Sequence, residues 1–293
     1  MPRISLPRYP LALAAIGLLA LTPTTGAAQA QPQPVYVALG DSFAAGFAIA
    51  PLSADTAGIC GRSAVNYPSL LAKALGVARF RDVTCGGATT ADLAAPQPDP
   101  TGAVHAPQYD ALTADTTLVT IGIGGNDIGL VQLGVSCINL LPESMGTSCA
   151  TANTVDGQDR IGANITAFAP TYGTVIEEIR RRAPHAHIVL VGYPTGIRPG
   201  GCPHIQPTWA DDATYLQSKL DQLNAVMAAE AAEHEATFVN LAASTQDHDA
   251  CAAPEQRWMV GVLPTGLDAP ASLHPNAAGH ANTARQVLAA LHR

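Results

Sequence analysis

The sequence is poor in positive charge. Of its 293 residues, 15 are lysine or arginine and 23 are aspartate or glutamate, and Lys73 and Lys219 are the only lysines. Binding the phosphates of a nucleic acid needs a basic surface, so this balance argues against nucleic acid as a partner. It argues equally against anchoring to an anionic membrane by charge.

The sequence also lacks an apolar run long enough to cross a bilayer. The run at 11–21 is too short, follows Arg3 and Arg8, and precedes small residues in an A-x-A pattern. This arrangement predicts a secretory signal peptide over residues 1–30, because a membrane anchor needs a longer run or a stop-transfer pattern. We therefore expect residues 31–293 to form one extracellular domain without a stable membrane anchor. Residues 1–30 hold two of the basic residues and none of the acidic ones, so this domain has a formal net charge near −10.

The cysteines show no metal-binding spacing. No Cys-x-x-Cys pair occurs, and no cysteine is spaced with a histidine as zinc sites require, so we expect neither a metal nor a cofactor. An even number of cysteines behind a secretion signal favours three disulfides, because an oxidising compartment lets them persist. Their spacing alone leaves the pairing open. The cysteines are Cys60, Cys85, Cys137, Cys149, Cys202 and Cys251.

Neither an internal repeat nor a low-complexity segment follows residue 31. Instead, five short apolar runs alternate with helical patterns, which predicts an α/β fold with a parallel sheet and helices on both faces. The runs are nearly continuous, as expected for strands that are buried on both faces. The predicted strands are 35–40, 80–84, 117–122, 187–193 and 236–241.

Helical patterns fill the stretches between the predicted strands. The stretch 66–76 ends on a glycine that suits a helix terminus, and another helical stretch runs from 158 to 183. The chain ends in a helix with an apolar stripe that we expect to face the core. The residues of this stripe are Ala281, Ala284, Leu288 and Leu291.

Glycine and polar residues follow three of the predicted strands. Asp41 and Ser42 follow the first strand, Gly87 follows the second, and Asn126 follows the third beyond a glycine turn. Parallel strands bring their carboxyl ends to one edge of the sheet, where ligands bind. Each short sequence taken alone is a plausible turn. Their joint position after successive strands is what predicts a functional site.

These residue types suit the cleavage of an ester by a serine. Ser42 offers a hydroxyl that can attack a carbonyl once a base takes its proton. The backbone N–H groups of Ser42 and Gly87 and the side-chain amide of Asn126 can donate to the oxyanion that forms. We expect Asp41 and Asp127 to hold their loops through hydrogen bonds to the backbone rather than to act as acids.

The base must be a histidine that reaches the same edge of the sheet. For eight of the nine histidines, an exposed or packed imidazole is the simpler interpretation. His274 instead lies after the last predicted strand, directly before Pro275 and the Asn276 that caps the final helix. Proline restricts the preceding residue to extended backbone, which fixes where the imidazole points. His274 is therefore the candidate base.

Four short motifs together resemble the motif blocks of the SGNH (GDSL) hydrolase family. They match the family in order and spacing over most of the mature chain, and more narrowly the chain resembles the secreted actinobacterial lipases and esterases of that family. The motifs are Gly40-Asp41-Ser42, Gly87, Gly125-Asn126-Asp127 and His274.

The resemblance implies a flavodoxin-like three-layer αβα sandwich with a five-stranded parallel sheet. It implies a Ser42 nucleophile, a His274 base, and an oxyanion hole formed by Ser42, Gly87 and Asn126. It also implies three disulfides between successive cysteines. These are Cys60–Cys85, Cys137–Cys149 and Cys202–Cys251.

The sequence departs from the commonest family pattern next to the histidine. Many members have an aspartate three residues before it, but this chain has Ala271, and the nearest upstream acid is Asp268. We therefore hypothesise a Ser-His dyad in which the carbonyl of Ser272 or Ala271 holds the imidazole. A carbonyl can fix the tautomer, which is much of what the aspartate does.

The function that these observations predict is a secreted carboxylester hydrolase, a lipase or esterase. We expect a monomer that acts on a small-molecule or lipid acyl ester through an acyl-enzyme on Ser42. A carbohydrate O-acetylesterase or an acyltransferase would use the same residues. The apolar stretch 128–141 favours an acyl chain over a sugar, although such a stretch also suits a core. A secreted binding protein without turnover would need a broken motif, and none of the four is broken.

Overall fold

Five parallel strands form the central sheet of the computed structural model, which describes residue 2 and residues 34–56, 58–263 and 271–292. The sheet order is β2-β1-β3-β4-β5. This is the flavodoxin-like order, with its crossover between β1 and β3. The strands are β1 (Val35–Gly40), β2 (Arg79–Asp82), β3 (Leu118–Gly122), β4 (His187–Val191) and β5 (Thr237–Val239).

Burial along the strands differs between the centre and the edge of the sheet. Every residue of β1 and β3 is buried, as the nearly continuous apolar runs predict. The prediction is wrong for β2, whose residues are exposed or half-buried. The reason is its position, because β2 pairs with β1 alone and forms an edge of the sheet.

Helices connect the strands and cover the sheet. Two short antiparallel hairpins, 97–98 with 104–105 and 154–155 with 158–159, lie outside the sheet. The helices are α1 (Ser42–Ala45), α2 (Tyr67–Leu75), α3 (Ala91–Ala94), α4 (Leu130–Ser136), α5 (Cys149–Ala152), α6 (Arg160–Phe168), α7 (Pro170–Arg182), α8 (Ala210–Glu233), α9 (Ala242–Thr245) and α10 (Ala277–Leu291).

Local sequence explains where several of these helices begin and end. Asn66 caps α2 by accepting a hydrogen bond from the Ser69 N–H group, and Gly76 ends it in the left-handed conformation. The predicted stretch 158–183 is two helices rather than one. The second of them begins at Pro170, which has no N–H group to continue the preceding helix.

The buried face of α10 overlaps the predicted stripe, and Leu288 and Leu291 pack against the core. Ala284 is buried as expected, but Ala281, Leu288 and Leu291 are only half-buried. His280, beside this stripe, is also buried, and its Nδ1 accepts a hydrogen bond from the Tyr67 N–H group of α2 at 3.1 Å. The buried side chains of this face include His280, Thr283, Ala284 and Val287.

Two apolar clusters lie on opposite faces of the sheet. Val37 and Leu39 of β1 face one cluster, which α6, α7 and α8 complete, while Tyr36 and Ala38 face the other, which α2 and α10 complete. The alternation follows from the period of two in a strand. The result is the three-layer αβα sandwich that the sequence predicts.

The three predicted disulfides are present. They join Cys60 to Cys85, Cys137 to Cys149 and Cys202 to Cys251, and no free cysteine remains. None of the described helices is long and apolar enough to cross a membrane. The predicted signal peptide, apart from residue 2, lies outside the described residues.

Candidate active site

Ser42 and His274 are hydrogen-bonded at the carboxyl edge of the sheet. Ser42 begins α1 directly after β1, and His274 precedes α10. The distance between Ser42 Oγ and His274 Nε2 is 2.7 Å, and both residues are buried. The two residues are 232 positions apart in the chain, and the fold brings them into contact.

The other nitrogen of the imidazole is held by the backbone. His274 Nδ1 is 2.8 Å from the carbonyl oxygen of Ser272. A carbonyl oxygen can only accept, so Nδ1 carries the proton and Nε2 is free to accept the Ser42 hydroxyl proton. Ser272 is one of the two residues whose carbonyl the sequence predicts to hold the imidazole. Asp268, the nearest upstream acid, lies outside the described residues.

The surroundings of His274 favour its neutral form. Burial lowers the pKa of His274 below its usual value of 6.5, and the hydrogen bond to Ser272 opposes this shift. Two aromatic rings contribute to the burial, with the Phe43 and Phe47 centroids 4.9 and 5.9 Å from the imidazole centroid. A neutral imidazole is the form that can act as a general base.

The predicted oxyanion donors lie on neighbouring loops. Cys85 N–H donates to the Gly40 carbonyl at 3.0 Å, which brings the loop with Gly87 against the end of β1. Asn126 Nδ2 donates to the Ala88 carbonyl at 2.8 Å, which ties the third loop to the second. Gly87 has φ of 74°, a conformation that favours glycine.

The backbone donors at this edge are unused within the described part of the chain. Neither the Ser42 nor the Gly87 N–H group donates to a described backbone carbonyl. Ser42 is in the first turn of α1, where N–H groups have no partner within the helix. One hydrogen of the Asn126 amide also remains, since a side-chain amide has two. These three groups can therefore donate to an anion.

A disulfide and a close backbone contact brace the loop with Gly87. The Cys60–Cys85 disulfide is next to Gly86, whose N–H group donates to the Cys60 carbonyl at 3.2 Å. Gly86 must be glycine for this approach, because a Cβ there would lie 2.3 Å from the Ile59 carbonyl oxygen. The disulfide and these contacts thus hold the loop with Gly87 against residues 59 and 60.

Asp41 and Asp127 hold loops, as expected. Asp41 Oδ1 accepts from the Phe43 N–H group at 2.9 Å, and Asp127 accepts from the N–H and hydroxyl groups of Thr90. Burial raises the pKa of Asp41 to about 7, and it also raises the pKa of Asp127. Both carboxyls are engaged by loop groups rather than by His274.

Two further residues, which the sequence motifs do not indicate, also shape the site. The Gln108 side chain accepts from Gly40 N–H at 2.8 Å and donates to the Gly40 carbonyl at 3.0 Å. Tyr193 reaches the site from beyond β4. Gln108 lies in a short 3₁₀ helix without a motif, but Tyr193 could have been suspected because it follows a strand end.

An apolar pocket lies beside Ser42 and His274. Its empty volume is about 580 Å³, including its open mouth. Phe43, which follows Ser42, and Leu273, which precedes His274, both line it. Other apolar residues that line it come from α4, α8 and the loops after β4 and α9. They include Leu130, Ile197, Leu220 and Val260.

One group of potential metal ligands occurs among the described residues. Three atoms that could bind a metal lie within 4.8 Å of one another, one each from Cys60, Cys85 and His105. The two cysteines form a disulfide, so their sulfurs are not available as the thiolates that bind metal. His105 Nε2 is already 3.1 Å from Asp99 Oδ2. These contacts are structural.

Several known proteins resemble this chain in sequence and in fold. Residues 38–281 match the GDSL-like lipase/acylhydrolase family. "Lipase 2" of Streptomyces coelicolor is 37% identical over 302 residues, which cover 98% of each chain. The extracellular lipase from Streptomyces rimosus superposes with a TM-score of 0.73 and 29% identity, covering 88% of this chain and 99% of that one. Phospholipase A1 from Streptomyces albidoflavus superposes with a TM-score of 0.66 and 29% identity, covering 89% of this chain and 98% of that one. The chain therefore belongs to the GDSL-like lipase/acylhydrolase family.

Proposed function

We propose that the protein hydrolyses carboxylic esters through an acyl-enzyme on Ser42. The observation that carries the proposal is the 2.7 Å contact between Ser42 Oγ and His274 Nε2. A nucleophile and a base within hydrogen-bond reach, with the base oriented by a third group, is the arrangement that nucleophilic catalysis needs.

The reaction has two halves. His274 Nε2 takes the hydroxyl proton as Ser42 Oγ bonds to the ester carbon, and the carbonyl oxygen becomes an oxyanion. The N–H groups of Ser42 and Gly87 and the Asn126 amide stabilise that charge. The imidazolium then gives its proton to the leaving alkoxide as the ester C–O bond breaks. In the second half, His274 takes a proton from water as the water oxygen bonds to the acyl carbon. The imidazolium then returns that proton to Ser42 Oγ as the bond between Ser42 and the acyl carbon breaks and the free acid leaves.

A dyad is sufficient for this chemistry. The Ser272 carbonyl keeps one proton on Nδ1, so that Nε2 is the nitrogen that accepts the Ser42 proton and then passes it to the leaving alkoxide. A carbonyl has no full charge, so it stabilises the imidazolium less than a carboxylate does. The dyad therefore depends on orientation more than on charge.

The pocket favours an acyl chain as the group that is transferred to Ser42. Its lining is largely apolar, which suits a hydrocarbon chain and offers few partners for sugar hydroxyls. Ile205 and Leu263 are exposed beside the lining residues Gln206 and Val262, so apolar surface continues outside the pocket. A lipid ester is thus favoured over the acetylated sugar of a carbohydrate O-acetylesterase. The relatives named as lipase and phospholipase A1 agree with this choice.

We also propose that residues 1–30 are a signal peptide and that the mature domain acts outside the cell as a monomer. The three disulfides support an oxidising location. The similar Streptomyces rimosus enzyme is described as extracellular. Mass spectrometry of protein from the culture medium should find Gln31 as the first residue, and gel filtration should give the mass of one chain.

A fluorophosphonate probe tests the enzymatic function directly. It should label the wild-type protein once, on Ser42, and the labelled protein should lose its activity on p-nitrophenyl esters. Ser42→Ala should lose both labelling and turnover, whereas Ser53→Ala, a serine outside the site, should keep both. A wild-type protein that is neither labelled nor active would refute the proposed function.

A further inference from the structure

The Tyr193 hydroxyl joins two loops of the site. It donates to Asp41 Oδ2 at 2.7 Å and accepts from the Gly125 N–H group at 2.7 Å. Asp41 directly precedes Ser42, and Gly125 directly precedes Asn126. One oxygen atom is therefore bonded to the neighbours of two proposed oxyanion donors.

The directions of these hydrogen bonds are fixed by their partners. The Gly125 N–H group can only donate, so the single hydroxyl proton of Tyr193 points to Asp41. The other oxygen of Asp41 accepts from the Phe43 N–H group at 2.9 Å. A buried network in which every member is bonded specifies one arrangement of its groups.

The link does not depend on the charge of Asp41. Burial raises the pKa of Asp41 to about 7, so both of its forms are populated near neutral pH. The carboxylate accepts from the Tyr193 hydroxyl, and the neutral acid can still accept the same hydroxyl proton at Oδ2, because a protonated carboxyl keeps an acceptor oxygen. Its nearby titratable groups, Asp127, Tyr67 and Tyr172, therefore do not decide whether the loops stay joined.

Tyr193 is itself anchored on both sides. Its backbone N–H group donates to Asn224 Oδ1 at 2.7 Å, and its carbonyl accepts from Asn224 Nδ2 at 2.8 Å, which fastens it to α8. Its ring packs edge-on against Phe43 with centroids 5.1 Å apart. Gly125 leaves room for the hydroxyl, because a Cβ there would lie 2.9 Å from the Tyr193 oxygen.

We propose that Tyr193 is a positioning residue whose hydroxyl sets the spacing between the Ser42 N–H group and the Asn126 amide, so that both reach one oxyanion. This inference rests on the ester hydrolysis proposed above. A misplacement of about 1 Å at a reacting centre can cost roughly 10² in rate. The acyl pocket is lined by other residues, so loss of the Tyr193 hydroxyl should lower kcat and leave KM nearly unchanged.

Tyr193→Phe tests the proposal, because it keeps the ring and removes one oxygen. Tyr36→Phe is the matched control, since Tyr36 is a fully buried tyrosine of β1 whose hydroxyl is bonded to Thr120 Oγ1 at 2.8 Å. With p-nitrophenyl butyrate, and with active sites counted by fluorophosphonate labelling, Tyr193→Phe should lower kcat roughly ten- to hundredfold. KM should stay within about twofold of wild type, and Tyr36→Phe should leave both constants within about twofold.

A double-mutant cycle distinguishes positioning from general stability. In an Asn126→Ala background, Tyr193→Phe should lower kcat less than about threefold, because the donor that it positions is gone. If Tyr193→Phe does not melt cooperatively, Gly125→Ala replaces it with the same expected results, since its Cβ displaces the hydroxyl.

Two results would overturn the proposal. One is a Tyr193→Phe kcat within about twofold of wild type, and the other is an equal loss in both backgrounds. Either result from an active wild type refutes the positioning role alone. A wild type that neither turns over the ester nor reacts with the probe refutes the proposed function, and the positioning role with it.

Discussion

The carbonyl oxygen of Ser272 lies 2.8 Å from His274 Nδ1, two residues further along the same loop. The contact occupies the position that an acid takes in a Ser-His-Asp triad. The partner of the imidazole is here a neutral backbone carbonyl, which keeps the imidazole in one tautomer without adding charge.

The pH dependence of activity should report the lowered pKa of His274. The neutral imidazole is the active base, so activity is lost as pH falls through its folded-state pKa, which burial holds below 6.5. The acid limb of kcat/KM for a neutral ester should therefore have its midpoint below pH 6.5. A midpoint well above 6.5 would contradict a buried base without a carboxylate partner.

Chain-length preference should depend on Gly134. A Cβ at this position would lie 3.0 Å from Leu273 Cδ1, and both residues line the apolar pocket. Gly134→Leu should narrow the pocket and lower kcat/KM for p-nitrophenyl palmitate at least about tenfold, while acetate changes less than about twofold. Val135→Leu, an exposed change on the same helix, is the control and should alter neither value. Equal losses on both esters in Gly134→Leu would show that the pocket does not bind the acyl chain.

The Cys60–Cys85 disulfide should matter more for turnover than for stability. It braces the loop with Gly87, while the Cys202–Cys251 disulfide closes a longer segment, of 49 rather than 25 residues. Loop-closure entropy gives about 3.5 kcal/mol for the shorter segment and about 4 kcal/mol for the longer one.

Paired Cys→Ala variants separate the two effects. The Cys60/Cys85 variant should lose more kcat and no more unfolding free energy than the Cys202/Cys251 variant. Urea unfolding and kcat per labelled active site provide the two measurements. A larger kcat loss in the Cys202/Cys251 variant would contradict the bracing role.

His280 should make the fold sensitive to acid. Burial lowers its pKa from 6.5 to about 3, so the folded state keeps it neutral while the unfolded state takes up a proton below pH 6.5. Its contribution to stability is complete above pH 6.5 and is lost as pH falls toward about 3, by at most about 1.4 kcal/mol per pH unit.

His280→Asn should flatten this dependence. Asparagine can still accept from the Tyr67 N–H group but does not titrate. Urea unfolding of both proteins between pH 7 and pH 5 should therefore give a smaller loss of unfolding free energy for the variant. Parallel curves for the two proteins would mean that His280 is not held neutral in the fold.

The candidate site residues could be chosen from the sequence because each lies just beyond a strand or just before a capped helix. Ser42, Gly87, Asn126 and His274 all follow this local rule. Gln108 follows no strand, and Tyr193 lies beyond β4 but belongs to no motif. Their contacts with Gly40 and Asp41 span 68 and 152 residues. Such contacts depend on how the whole sheet is ordered.

The structure differs from the predicted fold at β2 and adds a buried polar residue to α10. Apolar content suggested that β2 is buried on both faces, but burial depends on the number of neighbouring strands, and β2 has one. The predicted stripe of α10 is confirmed for Ala284, Leu288 and Leu291, which lie in or pack against the core. Hydrophobicity did not indicate that the polar His280 is buried beside them, where it accepts a hydrogen bond from the Tyr67 N–H group.

The most direct test of the dyad is the turnover of Asp268→Asn. Asp268 is the nearest acid before His274 in the sequence, so it is the residue that a triad would use. With the Ser272 carbonyl orienting the imidazole, kcat for p-nitrophenyl butyrate should stay within about threefold of wild type, because a triad acid is worth far more. A drop of roughly 10⁴, the size expected on replacing a true triad aspartate by asparagine, would contradict the dyad.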